Sequence, residues 1–194
     1  MSIFETFLRL GFSHIADFKG YDHILFITTL CGIYAIKQWK PVLILVTAFT
    51  IGHSITLALA ALHIITLSTT LIEFLIAVTI FLTSVFNIIY KKTTFSRSLH
   101  HIKYGSAMFF GLIHGVGFSV YLRSLLGMES NIVVPLFAFN VGLEIGQITI
   151  VFSILALGAV FVTVLKVPRR EWNLVISSAA GGIALIMMIE RWPF

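Results

Sequence analysis

The stretch VVPLFAFNVGLEIGQITIVFSILALGAVFVTVL, residues 133–165, decides the fold. Glu144 is its only charged side chain. A helix needs about 20 apolar residues to cross a hydrocarbon core of about 30 Å. This segment has length to spare for tilt, a kink at Pro135 or extension beyond the bilayer. Similar apolar runs lie on its amino-terminal side, and one more follows it.

Hydrophobic residues make up 58% of the 194-residue chain and charged residues 11%. The mean hydropathy is +1.02. Soluble domains average about 45–50% apolar and about 25% charged. The apolar residues fall in long runs, not in the short alternating segments of a β-barrel. The expected fold is therefore all-α: a polytopic bundle of about six transmembrane helices forming one domain, 1–194. The spans read as 22–36, 41–62, 70–90, 104–126, 133–165 and 172–189. Residues 1–18 lack the basic start and apolar middle of a signal peptide. Phe4, Phe7, Leu8, Gly11, Phe12 and Ile15 recur at helical spacing instead, which predicts an amphipathic helix along the membrane surface.

A net charge of +5 does not point to nucleic acid here, because the basic residues gather in short connections. Lys37 and Lys40, then Lys91, Lys92, Arg97 and Lys103, then Lys166, Arg169 and Arg170 put nine of the 13 on one side. Arg9, Lys19, Arg123 and Arg191 leave four on the other. The positive-inside bias predicts a cell (inner) membrane protein with both termini outside. Trp39, Trp172 and Trp192 sit at span ends, where indoles anchor. The lone Cys31 excludes an internal disulfide.

Ionisable residues inside spans are costly and mark function by default. His53, His114 and Glu144 lie 12, 10 and 11 residues past Pro41, Tyr104 and Val133. At about 1.5 Å per residue, all three are expected near mid-depth. Asp22 and His23 stand at the outer end of the first span, with His14 eight residues before Asp22. Imidazole with carboxylate suits a divalent transition metal (Ni, Co or Zn) better than Mg or Ca. Ser54 flanks His53. Asn140 and Gln147 share a helical stripe with Glu144 and are expected as outer or weak partners of the same site. GxxxG stretches enclose His114 (Gly111, Gly115) and Glu144 (Gly142, Gly146). They predict close contact between the fourth and fifth spans. His100 and His101 read as a solvated or headgroup-facing pair, and Glu73 and Asn87 as interfacial.

The segments GFSHI, GYDHILF, TAFTIGHSITLAL, FFGLIHGVGFS and FNVGLEIGQ, within residues 11–147, resemble the HupE/UreJ family of small membrane proteins. The resemblance implies a nickel or cobalt permease. By motif position it brings His14, Asp22 and His23 into its first block, and His53, His114 and Glu144 into the next three.

The residues themselves leave three function classes open. The first is a permease without ATPase activity, since no Walker A sequence occurs. The second is an intramembrane zinc-dependent hydrolase, with Ser54 or Glu144 assisting a metal-bound water. The third is a metal-stabilised, non-catalytic membrane protein. The expected partners are the lipid bilayer and a divalent ion, with homo-oligomerisation left open.

Overall fold

The structure, a computed structural model, describes residues 2–65, 68–90, 97–126 and 132–193. These residues form α1 (Ile3–Ile15), α2 (Asp22–Gly32), α3 (Trp39–Ala61), α4 (Thr69–Ile89), α5 (Arg97–Gly117), α6 (Ser119–Leu126), α7 (Val133–Ala159) and α8 (Arg169–Glu190). A 3₁₀ turn, Ile36–Gln38, leads into α3, and a π turn, Val160–Val164, ends α7. No strand occurs among the described residues. Of the basic third connection, Lys91 and Lys92 lie outside them.

Four helical segments are long and apolar enough to cross a membrane: Ile36–Ala61, Thr69–Ile89, Val133–Val164 and Arg169–Glu190. The other two expected spans are not single apolar helices. The fourth extends back to Arg97 through the polar RSLHHIK segment and breaks at Phe118, between α5 and α6. The first, α2, has only 11 residues, or about 16 Å of helix, too short to cross alone.

The amino-terminal helix supplies the missing length. It was expected to lie apart on the surface, but it packs lengthwise and parallel against α7. The Phe4 and Phe137 rings meet at 6.5 Å. A methyl group at Gly11 would collide with the Phe139 carbonyl oxygen, and one at Gly142 with that of Leu8. Phe7, Gly11 and Ile15 are buried in this seam. α2 continues along the same partner, so that Cys31 and Tyr34 line one small cavity with Leu155 and Ala159. α1 and α2 are thus two half-helices laid end to end along α7, interrupted at residues 16–21.

A second glycine seam joins α3 and α5, also parallel. A methyl at Gly52 would strike the Met108 carbonyl oxygen, one at Gly111 that of Phe49, and one at Gly115 that of His53. Both expected GxxxG stretches do mediate close approach, but not with each other. Gly111 and Gly115 serve α3, while Gly142 and Gly146 serve α1. Glycine spacing reports how near a backbone comes and is silent about whose backbone it is.

The polar residues of α7 face α3 across a hydroxyl ladder. The Thr47 hydroxyl donates to Glu144 Oε1 at 2.7 Å. That of Thr50 lies 2.6 Å from Gln147 Oε1, and that of Ser54 2.6 Å from Asn140 Oδ1. α4 and α8 run antiparallel, with Gly181 against Ser84 and the Phe74 and Trp192 rings at 5.3 Å. Asn87, expected at an interface, is fully buried. Its amide donates to the Thr29 carbonyl at 2.6 Å, and Asn173 donates to the Asn87 carbonyl at 2.9 Å. Two adjacent arginines tie helix ends together. Arg169 donates to the Ile33 carbonyl at 3.0 Å and to Gln38 Oε1 at 2.7 Å. Arg170 donates to the carbonyls of Asn87, Ile88 and Tyr90. Carbonyls at a helix C-terminus have no intrahelical partner, and guanidinium groups satisfy them well.

His63 closes α3 with φ 59°. The amides of His63 and Ile64 reach back to the carbonyls of Ala60 and Leu59, the pair of bonds that ends a helix at a left-handed residue.

Candidate metal centre

Four helices bring four histidines together. His14 is at the end of α1, His23 at the start of α2, His53 in the middle of α3 and His114 near the end of α5. The break between α1 and α2 places the first two: each half-helix stops or starts at the site. The glycine seam of α3 and α5 places the other two, because Gly52 precedes His53 and Gly111 and Gly115 bracket His114.

The His14 and His23 rings lie 4.6 Å apart, His14 and His53 6.0 Å, His23 and His53 6.0 Å, and His23 and His114 5.2 Å. One ligating nitrogen from each of His14, His23 and His53 falls within 4.8 Å of the others. His53 and His114 are wholly buried, and His23 is 4% exposed.

Local hydrogen bonds select the tautomers. His23 Nδ1 lies 3.1 Å from Asp22 Oδ1, so its proton belongs there and Nε2 keeps a bare lone pair. The Thr79 hydroxyl spends its proton on the Ile76 carbonyl at 2.7 Å. It therefore accepts from His114 Nε2 at 3.1 Å, which leaves His114 Nδ1 bare. Carboxylate or hydroxyl on one ring nitrogen and a free lone pair on the other is the usual arrangement of a metal-ligating histidine. Within the cluster, five buried imidazole nitrogens have no hydrogen-bond partner among the described residues: Nε2 of His14, Nε2 of His23, both nitrogens of His53 and Nδ1 of His114. An unsatisfied buried polar group costs about 1–3 kcal/mol. One divalent cation would satisfy several of these at once, and imidazole donors suit Ni, Co or Zn. The donor set fits such an ion.

A cavity of about 250 Å³ ends at His14, His23 and His114 and is lined towards its mouth by Asp17, Asp22, Glu73 and Arg191. Arg191 Nη1 lies 3.7 Å from Asp22 Oδ2. On the other side of the histidines stand aromatic rings. Phe26 is 4.9 Å from Phe49, 6.0 Å from Phe110 and 5.0 Å from His114. Phe49 is 5.1 Å from His114. The site is open towards the end of the bundle that carries Glu73 and closed by phenylalanine towards the end that carries Arg169.

Over residues 1–193 the chain matches the family described as HupE / UreJ protein. The chain belongs to the HupE/UreJ family. No curated protein and no solved structure matches it.

Within this HupE/UreJ chain, the expected candidates are regrouped. His53 and His114 stand in one cluster with His14 and His23. Asp22 touches His23 and orients it. Glu144 is not among the converging groups, since its carboxylate takes the Thr47 hydroxyl at the half-open edge of the α3–α7 seam. Ser54, Asn140 and Gln147 belong to the same ladder. The residues sequence reasoning passed over are Thr79, Asp17 and Arg191, together with Glu73, which was read as interfacial. Thr79 had a legible signal: a hydroxyl at mid-span, ten residues into α4, level with the histidines.

Proposed function

We propose that this chain is a divalent transition-metal permease carrying nickel or cobalt, with the four-histidine cluster as its transport site and the basic end of the bundle in the cytoplasm. The carrying observation is the convergence of bare, buried imidazole nitrogens from four helices at the closed end of an acid-lined cavity. Three further points support it. The family is generally related to nickel and cobalt transport. Broken helices at mid-bundle ion sites are the common architecture of secondary transporters. Acidic groups at the mouth would concentrate cations by focusing the field. In this reading Asp17 and Glu73 attract the ion. His14, His23 and His53 receive it, and His114 completes the set. Phe26 and Phe49 close the cytoplasmic side. The hydrolase reading draws less support, because Ser54 and Glu144 are both engaged away from the histidines.

The test is purified protein in liposomes, with bound metal measured by mass spectrometry and uptake by an internal indicator. One ion per chain, time-dependent uptake of nickel or cobalt, and loss of both in His23→Ala and His53→Ala are expected. Stoichiometric binding without uptake would leave a metal-stabilised protein and end the permease reading.

A further inference from the structure

Asp22 uses its two carboxylate oxygens differently. Oδ1 serves His23: it accepts the His23 backbone amide at 2.9 Å and stands 3.1 Å from His23 Nδ1. Oδ2 is left to Arg191, whose Nη1 lies 3.7 Å away. That separation makes an ion pair and is too long for a hydrogen bond. Arg191 Nη1 is buried and has no hydrogen-bond partner among the described residues. A guanidinium commonly grips a carboxylate through two parallel N–H bonds. Here it rests beside one oxygen without bonding it.

Arg191 lines the same 250 Å³ cavity as His14, His23 and His114, so its charge stands on the way to their bare nitrogens. Its backbone is pinned. The Arg191 amide caps α8 on the Met187 carbonyl, and the next residue, Trp192, packs edge-on against Phe74. Its side chain is 28% exposed and keeps a path to water. An arginine stays charged in a protein at every working pH. The empty centre therefore carries a permanent cation, loosely held, on the very carboxylate that orients a ligand.

We propose that Arg191 is a tethered stand-in cation: it holds Asp22 Oδ2 while the histidines are empty, and a divalent transition-metal ion must push it outward to bind. The stand-in rests on the histidine cluster being the metal site of the permease reading. Its charge opposes the ion's, so it lowers affinity and favours release, after which it returns to Asp22. It also sets a threshold. A transition-metal ion gains imidazole bonds that repay the displacement. Sodium is a hard monovalent ion that gains no such bonds, and it leaves the guanidinium in place.

The experiment has two arms, both on the full chain. In the first, nickel affinity is measured by calorimetric titration. Arg191→Gln is expected to bind nickel about tenfold more tightly, the effect of removing one like charge across a partly screened cavity. Arg191→Lys, which keeps the charge, should stay near the wild type. A merely structural arginine predicts the opposite: unchanged or weaker binding in folded Arg191→Gln, which would overturn the stand-in. The second arm needs no variant. Wild type is treated with phenylglyoxal, an arginine-directed dicarbonyl, and modification is read by peptide mass spectrometry. Arg9, whose side chain is 68% exposed, serves as the internal reference. Nickel should speed modification of Arg191 severalfold relative to Arg9, and sodium at matched ionic strength should not. No acceleration by bound nickel, or an equal acceleration by sodium, would overturn the proposal even if Arg191→Gln does not fold. A wild type that binds no nickel would sink the stand-in and the metal centre together. Nickel binding that moves Arg191 as expected, but with no uptake into liposomes, would end the permease reading and leave the stand-in standing.

Discussion

The α3–α5 seam and the α1–α7 seam are built alike and do different chemistry. In each, two parallel helices meet through glycines on both partners, so closely that an added methyl would strike a carbonyl oxygen. The α3–α5 seam gives the site a histidine from each side. The α1–α7 seam gives it only His14, while the polar residues of α7 turn to the hydroxyls of α3. The difference teaches that close packing and ligand placement are separable. A glycine seam fixes two backbones, and the residue one or three places further on decides whether the result is a ligand or a strut.

The sharpest way to break this comparison is to overfill each seam in turn. Gly52→Leu should cost more than about 3 kcal/mol, at or beyond the upper end of core overpacking, and should abolish metal binding, because His53 and His114 both move. Gly142→Leu should be similarly destabilising but retain part of the binding, since His23, His53 and His114 are held elsewhere. Thermal melting with metal analysis distinguishes the two. Equal loss of metal in both variants would mean that α1 and α3 contribute alike.

Next come the ligands. His53→Ala should weaken nickel binding by at least the factor of about 10–100 that outer partners typically cost, and His14→Ala by less, because His14 sits at the rim. Affinity should also fall on acidification, since a protonated imidazole cannot ligate. Calorimetric titration at several pH values checks both. A smaller effect is expected from Asp22→Asn, which frees the His23 ring to rotate: about tenfold in affinity, within the range for orienting partners, with stoichiometry preserved. The smallest belongs to Glu144→Gln. Its hydroxyl bond survives in amide form, so metal affinity should change by less than about twofold and stability by less than about 1 kcal/mol. A large loss of metal in that variant would return Glu144 to the ligand set and undo the contrast between the seams.

The apolar runs made the helical membrane fold legible, and positions 41–62, 70–90 and 172–189 fall within a few residues of α3, α4 and α8. Hydropathy misjudged the two divided crossings for one reason: it measures greasiness, and the breaks at residues 16–21 and at Phe118 are matters of backbone direction. α1 was read as surface-lying because its single apolar stripe looks the same whether it meets lipid headgroups or the flank of α7. The histidines were legible as candidates from their placement in apolar surroundings. Their grouping was not, because depth along a helix says nothing about rotation around it. His53 and Glu144 were both placed near mid-span, yet one points into the cluster and the other to the edge.

The interrupted first crossing has a mechanical consequence. α2 is anchored at its Arg169 end through the Ile33 carbonyl and, one turn earlier, through the Asn87 bond to Thr29. Its other end begins just after the break, and it carries His23 there. A short rod clamped at one end and jointed at the other behaves as a cantilever, and its tip travels farthest. The tip here is a metal ligand, so a small tilt of 11 residues would move His23 against His53 while leaving the glycine-locked α3–α5 seam at rest.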